Sequence, residues 1–136
     1  MNNPEITDER LAGMAMEAMD QAYAPYSMFQ VGAALITASG EVFSGANVEN
    51  ASYGLTICAE RVAVFKAVSS GQRRIVRISV AASNGEEVFP CGACRQVLNE
   101  FGPEMEIITT SGGRMKAVYR LSELLPKSFG PQDLQK

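Results

Sequence analysis

The chain has 136 residues, a formal net charge of −3 and no histidine. The missing imidazole excludes Ser-His-Asp and Cys-His triads, H-E-x-x-H proteases and Cys-Cys-His-His fingers. The acidic balance gives no electrostatic reason to seek nucleic acid or an anionic membrane.

In chain order, Thr7 is placed to cap a helix whose first turn carries Asp8 and Glu9, suited to the positive end of the helix dipole. Leu11, Met14, Ala15, Ala18, Met19 and Ala22 recur at helical spacing, and the helix is expected to run until Pro25. Val31 to Thr37 reads as a strand, turned by Ala38-Ser39-Gly40 into a second strand, Glu41 to Ala46. Ala59 to Ser69 is a helix closed by Gly71, apolar nearly all round and therefore expected to be buried. Val76 to Ala82 is a strand rich in β-branched residues, and Cys91 to Phe101 a short helix stopped by Gly102-Pro103. Met105 to Thr110 and Met115 to Leu121 are two further strands. The four residues Ser111 to Arg114 between them suffice for a hairpin and not for a crossover, so these strands run antiparallel. The passage from Glu41–Ala46 through Ala59–Ser69 to Val76–Ala82 is by default a right-handed crossover. The expected fold class is α/β: a mixed five-stranded sheet, antiparallel at its last strand, with helices on its faces.

No linker or repeat divides the sequence, so 1–136 reads as one domain. The first ten residues hold Glu5, Asp8, Glu9 and Arg10 with no apolar run behind them, which argues against a signal peptide. Three cysteines, an odd number, then read as metal ligands or a reactive thiol in a cytosolic chain rather than a disulfide framework. Charged residues are only 20% against 46% apolar, which favours a chain that covers part of its surface with copies of itself.

Cys91-Gly92-Ala93-Cys94 opens a helix. Alone, such a pair reads as a redox couple, half a zinc site or two core cysteines. Cys58, also at a helix start, tips the balance, because helix N-termini favour thiolates and three converging sulfurs would bind zinc with one tetrahedral position open. Glu60 stands two residues beyond Cys58. A first-turn glutamate ordinarily just satisfies the helix dipole, but most of this helix is apolar, so its carboxylate should be buried beside the metal position. There it can take and return protons. Three thiolates leave a Zn²⁺ site at −1, which weakens the metal as an acid. Arg61 can offset that charge by hydrogen bonding to the sulfurs, with Arg95 a second candidate.

Cys58-Ala59-Glu60 with Pro90-Cys91-Gly92-Ala93-Cys94-Arg95-Gln96 resembles the zinc-dependent cytidine deaminase superfamily. The resemblance extends through Tyr23-Ala24-Pro25-Tyr26-Ser27, Phe29 to Ala34, Asn47 to Tyr53 and Leu124-Leu125-Pro126, covering nearly all of Tyr23 to Phe129. These motifs look like the small homotetrameric branch that acts on free nucleosides. The resemblance implies a three-layer sandwich, one Zn²⁺ per chain on Cys58, Cys91 and Cys94, and Glu60 as the proton carrier. It implies substrate contacts from Phe29 (pyrimidine ring), Asn47 and Glu49 (ribose hydroxyls), the Ala59 N–H (pyrimidine 2-oxygen) and Val48. Ala51, Tyr53 and Phe129 would be lent by neighbouring subunits. The implied reaction is hydrolytic deamination of cytidine and 2′-deoxycytidine in pyrimidine salvage, with a nucleoside partner and neither nucleic acid nor membrane. Three rivals share part of the pattern. A polynucleotide editor wants a basic groove, and Arg73, Arg74 and Arg77 form only a small basic cluster. A blasticidin-type antibiotic deaminase is the nearer rival. A non-catalytic zinc module has no use for a buried Glu60.

Overall fold

Thr7 begins the first helix, α1 (Asp8–Ala18), as expected: its side chain accepts the Arg10 N–H at 3.1 Å. The computed structural model describes residues 6–134. The remaining elements in chain order are β1 (Val31–Thr37), β2 (Val42–Ala46), α2 (Ala59–Ser69), β3 (Ile75–Ala82), α3 (Gly92–Phe101), β4 (Glu106–Ser111), β5 (Arg114–Arg120) and the single turn α4 (Leu121–Leu124).

The five strands form one sheet in the order β2-β1-β3-β4-β5. β1 is antiparallel to both β2 and β3, so β2 and β3 run parallel to each other with β1 between them. β3 and β4 pair in parallel, and β4 and β5 antiparallel. The last hairpin turns at Gly112 and Gly113, whose φ values of 60° and 81° suit a primed turn that side chains resist. This is the expected mixed sheet with an antiparallel last strand.

β1 is buried on both faces, which explains its unbroken apolar run. Ala33 and Leu35 point to a core shared with Ala59, Ala63, Val64 and Ala67 of α2, Leu98 of α3 and Leu121 of α4. Ala34 and Ile36 point to the opposite face and pack with Leu11, Ala12 and Ala15 of α1. The result is three layers, with α1 on one side of the sheet and α2, α3 and α4 on the other. Both main helices approach the sheet over a glycine. A Cβ on Gly32 would lie 2.0 Å from the Ala15 carbonyl oxygen, and one on Gly45 would lie 2.6 Å from the Ala63 nitrogen.

Two expectations need correction. The first helix does not continue to Pro25: it tightens to a 3-10 turn at Met19–Gln21 and is extended from Ala22. Backbone pairing competes for that segment, because the Tyr23 N–H donates to Asn47 O at 2.9 Å and its carbonyl accepts the Glu49 N–H at 2.8 Å. Nor is α2 buried all round. Ala59, Glu60, Ala63, Val64 and Ala67 are enclosed, while Phe65 is about half exposed.

Candidate metal and catalytic site

Cys58 and Cys91 are the N-cap residues of α2 and α3, and neither side chain makes a capping hydrogen bond. Both sulfurs are therefore free to face the space where the two helix ends meet, and Cys94 reaches it from the first turn of α3. The three Sγ atoms lie within 4.8 Å of one another, and Cys58 Sγ and Cys91 Sγ are 4.0 Å apart. Tetrahedral zinc with Zn–S bonds of ~2.3 Å separates its sulfurs by roughly 3.8 Å. The donor set, three soft sulfurs at the positive ends of two helices, fits one zinc ion per chain.

The protons on this trio are unequally held. The Cys58 thiol is lowered to about 5, chiefly by a hydrogen bond from Cys94 and then by the Arg61 guanidinium. Cys94 is pushed up by that same hydrogen bond and by its burial. Arg61 Nη2 donates to Cys58 Sγ at 3.4 Å, and its guanidinium is held more firmly charged by that bond. Arg61 Nε is buried without a hydrogen-bond partner among the described residues. The second arginine behaves differently. Arg95 Nε donates to Pro90 O at 2.7 Å and Nη1 to Leu124 O at 2.9 Å, so it braces the loop that delivers Cys91 and, among the described residues, makes no bond to a sulfur.

Glu60 is buried, 4% exposed, in the first turn of α2. Burial pushes its carboxyl up to about 7, and the neighbouring Cys58 thiolate adds to the rise. A carboxyl poised near neutrality both takes and gives protons at ordinary pH.

The segment between β2 and α2 doubles back. Val48 and Ile57 exchange both backbone hydrogen bonds at 3.0 Å, which brings Asn47 and Glu49 alongside the residue that precedes Cys58. Asn47 is buried: its Nδ2 donates to Phe29 O and its Oδ1 accepts the Val31 N–H, each at 2.9 Å. Glu49 Oε1 accepts the N–H groups of Tyr26 and Ser27 at 3.0 and 3.2 Å, and Oε2 accepts the Ser27 hydroxyl. These bonds, led by the hydroxyl, hold the Glu49 carboxyl below its usual range. Tyr26, Ser27, Glu49, Tyr53 and Thr56 line a cavity of about 250 Å³. Phe29 is partly exposed, Ala59 is fully buried, and Ala51, Tyr53 and Phe129 lie on the surface, Tyr53 74% exposed. Ser27 has no role on sequence grounds. It sits in the Pro25-Tyr26-Ser27 motif, but a serine in a turn carries no signal of which distant carboxylate it meets.

The family model for the cytidine and deoxycytidylate deaminase zinc-binding region matches residues 5–110. A cytidine deaminase of Halalkalibacterium halodurans is 50% identical over 122 residues, 88% of this chain and 92% of that relative. One from Mycobacterium tuberculosis is 43% identical over 131 residues, 96% of each. The crystal structure of cytidine deaminase from Burkholderia pseudomallei superposes with a TM-score of 0.82 at 48% identity, covering 88% of this chain and 96% of that one.

Proposed function

This chain belongs to the cytidine and deoxycytidylate deaminase family, and from that premise we propose that it hydrolytically deaminates cytidine and 2′-deoxycytidine, releasing ammonia and the corresponding uridine. The observation that carries the reading is the buried Glu60 carboxyl, two residues beyond Cys58 of a three-sulfur cluster that fits zinc. Cys58, Cys91 and Cys94 are the ligands, with Arg61 offsetting their charge. Zinc held there supplies Lewis acidity, which lowers the pKa of the attacking water toward neutrality. Glu60 takes a proton from that water and delivers it to the ring nitrogen beside the amino-bearing carbon. With the water's oxygen bonded to that carbon, Glu60 takes the remaining hydroxyl proton and passes it to the amine, so that the C–N bond breaks, the carbonyl forms and ammonia leaves. A single carboxyl near neutrality suits both transfers, because neither of its forms is costly to reach at ordinary pH.

Phe29 packs on the pyrimidine, Asn47 and Glu49 meet the sugar, the Ala59 N–H meets the 2-oxygen, and Val48 adds a further substrate contact. The active unit is a homotetramer in which Ala51, Tyr53 and Phe129 complete a neighbour's site. The half-exposed Phe65 on α2 and the exposure of Tyr53 and Phe129 support that reading, since large apolar surfaces on a small chain mark contact with another protein surface. The setting is pyrimidine salvage in the cytoplasm. Among the described residues no helix is long and apolar enough to cross a membrane.

The decisive experiment compares cytidine, 2′-deoxycytidine, cytosine, CMP, blasticidin S and a single-stranded oligonucleotide as substrates of the purified protein. Turnover of the two nucleosides is expected, and preference for blasticidin S or the oligonucleotide would overturn the assignment.

A further inference from the structure

The turn from Tyr26 to Phe29 is held by more bonds than its own course requires. Glu49 Oε1 receives two backbone N–H groups and Oε2 the Ser27 hydroxyl. The same hydroxyl oxygen accepts the Phe29 N–H at 3.0 Å. Between them Met28 has φ 61°, a left-handed conformation sparsely populated by such a side chain. That bend is what returns the Phe29 N–H onto Ser27. A serine hydroxyl has one proton to donate. With the Phe29 N–H on its acceptor side, the proton points at Glu49.

We propose that Ser27 is a positioning residue for sugar recognition: oriented by Phe29, it fixes the Glu49 carboxylate in the rotamer that accepts a sugar hydroxyl of the nucleoside. The inference rests on the sugar-side role of Glu49 stated above. Three donors to one carboxylate leave about one acceptor site for a ligand, since an ionised carboxylate offers about four. A Glu49 without the Ser27 bond keeps its charge but gains rotamer freedom, and each nucleoside that binds must then restrict it again. The penalty falls on binding and not on proton transfer at Glu60, so it appears in KM.

The test uses the intact enzyme and the variants Ser27→Ala, Ser27→Thr, Glu49→Gln and the double variant Ser27→Ala/Glu49→Gln. Ser27→Ala is expected to raise KM for cytidine about tenfold, the scale of a lost charge-assisted hydrogen bond, with kcat within about twofold. Ser27→Thr, which keeps the hydroxyl, should restore KM. The affinity of 2′,3′-dideoxycytidine as a competitor should not change with Ser27→Ala, because that ligand offers Glu49 no hydroxyl at either sugar position. The double variant should be no worse than Glu49→Gln alone. Ser27→Cys, near-isosteric and a weaker donor, should give an intermediate KM and stands in if Ser27→Ala melts early. An unchanged KM in Ser27→Ala beside a raised one in Glu49→Gln overturns the proposal, as do an equal loss on dideoxycytidine, failed rescue by threonine or additive penalties. If Glu49→Gln itself leaves KM unchanged, the sugar role of Glu49 is what fails, and the role of Ser27 falls with it.

Discussion

Gly45 sets how closely the helix carrying Cys58 and Glu60 can approach the sheet, and Gly45→Ala measures that dependence. The added Cβ would lie 2.6 Å from Ala63 N, 2.7 Å from Ala59 O and 3.0 Å from the Val62 Cβ. Comfortable separations for such pairs are ~3.5 Å or more, so α2 must retreat by roughly 0.9 Å or the strand must bow. Neither is free, because the inner face of α2 is packed against Ala33, Leu35 and Ile78. Overpacking of this kind costs ~1–3 kcal/mol. The clash falls on the backbone of the first turns of α2, beside Cys58 and Glu60, and a misplacement of ~1 Å can cost ~10²-fold in rate. Urea denaturation should therefore show a loss of about 2 kcal/mol, and kcat/KM for cytidine should fall between ~10- and ~100-fold. Zinc should also pass faster to a chelator. Gly13→Ala is the control. Nothing lies within 4 Å of its added Cβ, and alanine in the middle of α1 should stabilise by ~1 kcal/mol without kinetic effect. A Gly45→Ala protein that melts like the wild type and keeps kcat/KM within about twofold would refute the idea that close approach of α2 sets the site.

Glu60→Gln should reduce turnover by at least ~10²–10⁴-fold with zinc retained. Its stability effect is opposite in sign. The folded carboxyl is pushed up to about 7 from an ordinary 4.5, so in the metal-free wild type the Glu60 contribution to stability is fully present below 4.5 and is lost as pH rises through 7. Metal-free Glu60→Gln should match it near pH 4.5 and exceed it by up to about 3 kcal/mol at pH 8, and equal denaturation midpoints at pH 8 would count against the burial argument. Elemental analysis should find one zinc per chain in wild type and a marked loss in Cys94→Ala, whose sulfur is fully buried at the cluster; full zinc content in that variant would remove Cys94 from the ligand set. Inactive Glu60→Gln and an inactive Tyr53→Ala chain, unfolded together and refolded, should regain partial activity as hybrids. A fully active monomer by sedimentation at assay concentration would rule out shared sites.

The elements themselves were legible in the sequence because each rests on local pattern. Thr7 with Asp8 and Glu9 marks a helix start, the apolar Val31–Thr37 run a strand, and Gly112-Gly113 a hairpin that makes the last strands antiparallel. So were the sulfur cluster and the burial of Glu60: without histidine, Cys58, Cys91 and Cys94 leave few ways to hold a metal, and a glutamate at the start of a largely apolar helix is expected to be buried. What depends on partners far away in the chain was decided only by tertiary structure. Helical spacing carries the first helix to Pro25, yet pairing of Tyr23 with Asn47 and Glu49 draws that segment into extended backbone. Arg95 stands beside a cysteine in sequence but points its guanidinium at Pro90 and Leu124, because a side chain in the first turn of α3 can follow the helix flank away from the cluster. The Ser27–Glu49 bond joins residues 22 positions apart through a left-handed turn at Met28. Periodicity reports which face of an element is apolar. It does not report which backbone groups from elsewhere in the chain will satisfy the element's ends, and those long-range hydrogen bonds are what bring the separate motifs together here.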